Sequence, residues 1–166
     1  RQFEQLAASR TKIEKRYHAH KFIAYFQNYT NTFLPLDRLL GYMEEASKVE
    51  DIVEISISTR PDCIRQDYLE AFYEFSSRTG IEVSIELGLQ TVNYHTLMEM
   101  NRGHGLAEFI DAVLRIAPYH FPVCVHMILN LPGDTMDDAK ESARILSTLP
   151  ISMVKLHSLY IPKQCE

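Results

Sequence analysis

Residues 83–104, VSIELGLQTVNYHTLMEMNRGH, place ionisable and amide groups at the end of a short apolar alternation. Val83, Ile85, Leu87 and Leu89 fall on one face of an extended segment, while Ser84, Glu86, Gly88 and Gln90 fall on the other. The same pattern sets Ser56 and Ser58 against Ile55 and Ile57, and Cys124 and His126 against Val123, Val125 and Met127. Lys155 and His157 likewise oppose Val154 and Leu156. A carboxylate, imidazoles and an amine on the polar side of several strands are the material of polar catalysis: Glu86 can move a proton, and Lys155 can act as an amine nucleophile. A lysine on such a face needs a partner, because an unpaired charge is costly to desolvate.

The elements that must position these groups alternate regularly. Residues 3 to about 17 read as a charged helix and 21–27, KFIAYFQ, as a strand rich in aromatic and β-branched residues. A polar loop at 28–32 leads to Pro35, which suits a helix start, with Leu36, Leu39, Leu40 and Met43 spaced for one buried face. Strands follow at 52–58, 81–87, 122–129 and 151–159. Helices lie between them: 65–78, closed by Gly80; 93–100 and 106–117, broken by Arg102-Gly103-His104-Gly105; and one ending near 148, capped by Asp134 or Thr135. This order predicts right-handed βαβ units and a parallel sheet. Helices on both faces of a flat parallel sheet would demand apolar residues on both sides of each strand. The repeated polar face therefore predicts a curved, barrel-like sheet around a wet or liganded cavity, which is the architecture of an enzyme. Ligands would bind at the carboxyl ends of the strands, so 28–32, 59–62, 90–93, 130–134 and 160–163 should share one rim.

With 166 residues and 46% apolar content, the chain can bury one self-sufficient core, and a single domain over 1–166 is expected. A net charge of -5 excludes a generic nucleic-acid surface, with Arg10, Lys12, Lys15, Arg16 and His18 as the local exception. No stretch approaches the roughly 18 apolar residues that span a bilayer, and no signal-peptide pattern opens the chain. A cytoplasmic protein without a membrane partner is the expectation. Cys63, Cys124 and Cys165 form no ligand-spaced cluster and read as reduced thiols. The chain begins at Arg1 without a methionine and stops soon after a strand, as expected of a fragment.

IELGLQTVNYHTLMEMNRGH, with SISTRPDCI before it and LNLPGDT some 25 residues after it, resembles the radical S-adenosylmethionine superfamily. The likeness covers about residues 20–163 and is to the branch of oxygen-independent coproporphyrinogen oxidase, the elongator catalytic subunit and the methylthiotransferases. Within that branch it is nearest to a bacterial group of iron-sulfur oxidoreductases. The resemblance implies an α/β fold, a partial (βα)6 barrel open on one side. It implies two cofactors, S-adenosylmethionine and a [4Fe-4S] cluster held by a CxxxCxxC loop, which together yield a 5'-deoxyadenosyl radical. An electron donor such as flavodoxin or ferredoxin is implied as a partner, with a tRNA or a small molecule as substrate. The loop itself is not in this chain, so its cysteines are expected before Arg1, the first strand is expected to be missing, and the segment 3–17 becomes the first helix. No metal ligands of the cluster are expected within the 166 residues, and the isolated chain should be inactive.

Carried over by position, the resemblance implies a cofactor role for ten residues. Gln27 and Asn28 stand where relatives contact the methionine amino group, in place of a glycine-rich loop. Ser56, Ser58 and Arg60 stand where relatives often place a carboxylate, a charge that serine cannot supply and for which Glu86 is the candidate substitute. Gln90 matches a glutamine that contacts the cofactor, and Arg102 an arginine that pairs with its carboxylate through a planar fork. His126 stands near the ribose position and Asn130 in the loop beside adenine. Two other readings stay open. One is a different TIM-like barrel lyase or aldolase using Lys155 or Glu86, and the other is a noncatalytic RNA-associated binding module. Plainer roles are open too: Glu86 and Arg102 as an ion pair at the rim, His126 and His157 as hydrogen-bonded histidines, and Tyr25 as packing.

Overall fold

A computed structural model describes residues 2–27 and 30–160. Five parallel strands lie in chain order in one sheet: β1 (Phe22–Phe26), β2 (Ile52–Thr59), β3 (Glu82–Gln90), β4 (Val123–Leu129) and β5 (Met153–Ser158). Six α-helices accompany them: α1 (Gln2–Tyr17), α2 (Leu36–Ser47), α3 (Gln66–Thr79), α4 (Tyr94–Glu99), α5 (Leu106–Ile116) and α6 (Met136–Ser147). The sheet curls into a half-barrel of the expected α/β type.

One face of each of β1–β4 packs against helices. Leu39 and Met43 of α2, Leu69 and Phe72 of α3, and Phe109 and Val113 of α5 are fully buried against Ile55, Ile57, Val83, Ile85, Leu87 and Val125. Each such side chain contributes about 1.5–3 kcal/mol through removal from water. The opposite, concave face carries the polar residues, and register fixes their rows. Tyr25 pairs with Ser56, Ser58 with Glu86, Glu86 with Cys124, Gly88 with His126, and His126 with Lys155. The alternation read from sequence is therefore the division between core and lumen.

Three local differences bear on the site. β3 runs on to Gln90 through a bulge between Gly88 and Gln90, so Gln90 ends the strand and does not open the loop. Short 3-10 turns at Asn31–Phe33 and Pro61–Cys63 close the first two βα connections, where the sequence suggested open loops. Thr135, not Asp134, caps α6. The Asn31 side chain donates to the Phe26 and Ser58 carbonyls at 2.6 and 2.8 Å, tying the ends of β1 and β2 together.

Candidate functional site

At the carboxyl end of β3, the bulge gives Gln90 a left-handed φ of 75°. Its side chain turns back over Gly88: a Cβ at position 88 would meet the Gln90 amide nitrogen at 2.8 Å and Arg102 Nη2 at 3.3 Å. Glycine at this point leaves the cradle in which both side chains rest. Arg102 is delivered by α4, whose Asn93 cap accepts hydrogen bonds from the His95 and Thr96 backbone amides. Its Nη2 donates to the Gly88 carbonyl at 3.3 Å, while its Nε is buried without a partner among the described residues. Burial, reinforced by the neighbouring Arg60 charge, pushes the guanidinium pKa down. The Glu86–Arg102 ion pair is not formed: Glu86 pairs with Lys155 and lies against His126.

Arg60 leaves the end of β2 and grips Asp62 with two hydrogen bonds of 2.9 and 2.6 Å. Its Nη2 lies so close to Gly103 that a Cβ there would approach to 2.6 Å, and the φ of 72° at Gly103 already favours glycine. His104 follows, 7% exposed, with neither ring nitrogen partnered among the described residues. Burial, then the Arg102 charge, lowers its pKa and keeps the ring neutral. Two guanidiniums against one carboxylate leave this notch net positive and partly desolvated.

Deeper in the lumen, Glu86 is 5% exposed, accepts from three donors and lies against His126. Tyr25 Oη donates at 2.7 Å and Ser56 Oγ at 3.1 Å; Lys155 Nζ donates at 2.5 Å and His126 Nε2 lies at 2.5 Å. Burial pushes the Glu86 carboxyl up, but bonds from Lys155, Tyr25 and His126 outweigh it and hold the group at about 2. Burial and the same carboxylate push Tyr25 to about 12. His126 Nδ1 stands 3.0 Å from His157 Nε2, with the two rings stacked. Lys155 also lies 5.1 Å from the Tyr25 ring centre, a cation over an aromatic face. A cavity of about 410 Å³ opens below, lined by Tyr25, Glu54, Ser56, Glu86, Cys124 and Lys155.

The ten sequence-predicted residues thus divide. Gln90 and Arg102 share the Gly88 cradle with Arg60 beside them, while Ser56, Ser58, Glu86 and His126 face the lumen. Gln27 is exposed at the end of β1, and Asn130, with φ 62°, borders a separate hollow of about 140 Å³ with Thr91 and Asp134. Asn28 lies outside the described residues. The sequence reading missed Tyr25 as a site group, although its alternation with Ala24 and Phe26 was the available signal. It also missed His104, for which spacing offered none.

An open parallel half-barrel with a cationic notch at the strand ends and a charged lumen defines the class: an α/β barrel protein. The Radical SAM superfamily profile matches residues 9–146, and the chain belongs to that superfamily. It is 34% identical over 154 residues to the uncharacterized protein YtqA of Bacillus subtilis (strain 168), a match covering 93% of this chain and 47% of YtqA. Among solved structures it resembles the archaeal Methanocaldococcus infernus Elp3 with an N-terminal deletion, with TM-score 0.80 and 18% identity over 98% of this chain and 42% of that one. It also resembles coproporphyrinogen III oxidase (HemN) from Escherichia coli, described as a Radical SAM enzyme, with TM-score 0.70 and 17% identity over 95% of this chain and 36% of that one. These two likenesses carry the fold. The chain spans about half the length of the curated relatives it matches.

Proposed function

We propose that this chain forms most of the S-adenosylmethionine-binding barrel of a radical enzyme, with the Gly88–Gln90–Arg102 cradle holding the methionine carboxylate. The observation that carries this reading is Arg102, whose Nε is buried beside a second guanidinium with no partner among the described residues. A buried charge left in that state costs stability unless a ligand completes it, and a carboxylate matches the fork of its donors. Gln90, held over Gly88, offers an amide to the same ligand. Asn31 ties the ends of β1 and β2 and so fixes the rim beside which the cofactor would lie. Glu86 acts from below: it orients His126 and Lys155 and keeps a negative charge in the lumen, where the relatives' carboxylate is replaced by serine.

S-adenosylmethionine, bound beside a reduced [4Fe-4S] cluster, supplies a 5'-deoxyadenosyl radical for hydrogen abstraction. Cys63 and Cys124 stand on different βα units and do not fit that cluster, whose ligands would come from other residues of the complete protein. Flavodoxin or ferredoxin would be its reductant, and a tRNA or a small molecule its substrate. Lys155 is engaged by Glu86, which opposes the aldolase reading. Titration calorimetry of S-adenosylmethionine into the complete protein tests the proposal. Arg102→Ala is expected to weaken binding by about 1.5–3 kcal/mol, the worth of a charged hydrogen bond. Unchanged affinity removes Arg102 from the site.

A further inference from the structure

Glu86, Cys124 and His126 each turn one ligand atom into the same part of the lumen, and the three atoms lie within 4.8 Å of one another. The sheet imposes this spacing. Glu86 and Cys124 are register partners on β3 and β4, and His126 stands two residues further along the same face. Carboxylate, thiolate and imidazole together suit a borderline divalent ion such as Zn²⁺ or Co²⁺, whereas Ca²⁺ and Mg²⁺ prefer oxygen shells. Tetrahedral bonding would set such donors about 3.3–3.6 Å apart, so the widest gap has to close by roughly 1 Å.

The surroundings are compatible with an ion in this place. His126 Nδ1 contacts His157 Nε2 at 3.0 Å, an outer contact of the kind that orients a ligating imidazole. With the ring proton on Nδ1, His126 Nε2 and Glu86 Oε2, now 2.5 Å apart, would both offer lone pairs to one ion, which would spread them to about 3.3 Å. Lys155 and Ser56 occupy the other carboxylate oxygen, Oε1, so the ammonium does not take the ion's position. The Tyr25 hydroxyl, which shares Oε2, would yield.

We propose that Glu86, Cys124 and His126 form a mononuclear site for a zinc-like divalent cation, with a fourth coordination position open to the lumen cavity. Binding forms a metal–sulfur bond and releases the Cys124 thiol proton to solvent. Carboxylate and thiolate then balance the dication. The proposal shares Glu86 and His126 with the S-adenosylmethionine reading, but its test needs no S-adenosylmethionine.

Anaerobic titration of the reduced 166-residue chain with Co²⁺, without S-adenosylmethionine, tests it. About one equivalent should bind and give thiolate-to-cobalt absorption in the near ultraviolet, and Zn²⁺ should displace it. Cys124→Ser should abolish the band, while Cys63→Ser should leave it. Lys155→Met removes a like charge held on the same carboxylate and should tighten binding at least about tenfold. No thiolate band, a band that survives Cys124→Ser, or weaker binding in Lys155→Met would overturn the proposal. None of these results bears on the Arg102 titration.

Discussion

Glu86 gathers polar partners from four strands, so its ionisation is coupled to folding. Its carboxyl titrates at about 2 in the folded chain against an ordinary 4.5, so its contribution is complete above pH 4.5 and is lost as pH falls toward 2. That difference corresponds to about 3 kcal/mol. Urea unfolding at pH 7 and pH 3 measures it: Glu86→Gln should be less stable at pH 7 and should lose less stability than the native chain on acidification. Equal losses would mean that other carboxylates carry the effect. The sequence shows that Lys155 needs a partner, but not that Glu86 is that partner. Which donors reach Glu86 was not legible, because that depends on strand register and on the curl that brings β1 and β5 toward β3. Tyr25 was therefore read as packing, though its hydroxyl donates to Glu86.

The elements were legible where periodicity and turn chemistry agreed. The helix face of Leu36, Leu39, Leu40 and Met43 and the closing Gly80 appear as expected, with Leu39 and Met43 buried and Gly80 left-handed at the end of α3. The bulge at the end of β3 was hidden, since a strand running on through Leu89 and Gln90 keeps the same sequence alternation whether or not one residue is extra. Its consequence is testable. Gly88→Ala would force a methyl group against Gln90 and Arg102, and should weaken S-adenosylmethionine binding by about tenfold or more while the far-ultraviolet circular dichroism stays native. At α6, the Thr135 hydroxyl donates to Asp138 Oδ2 at 2.7 Å and accepts from the Asp138 backbone amide at 3.3 Å. Thr135→Ala should lower unfolding free energy by about 1 kcal/mol in a denaturant titration, without effect on ligand binding.

At the scale of the molecule, five parallel strands leave an open sheet whose concave face is charged and whose convex face is helix-covered. Val154 and Leu156 on the outer face of β5 are exceptions, 38% and 64% exposed, beside a groove of about 660 Å³ against α6. No helix among the described residues is long and apolar enough to cross a membrane. The half-barrel was legible because a polar face repeated on parallel strands is incompatible with a flat, doubly covered sheet. Reconstitution of the 166-residue chain with iron and sulfide should yield no stoichiometric acid-labile sulfide, since its cysteines lack cluster spacing. The central claim is that this barrel places S-adenosylmethionine against an open iron. Electron paramagnetic resonance of the complete protein, anaerobically reconstituted and reduced, tests it most directly. A reduced [4Fe-4S] signal that shifts when S-adenosylmethionine is added is the predicted result. A protein that takes up no cluster, or a signal indifferent to S-adenosylmethionine, would contradict it.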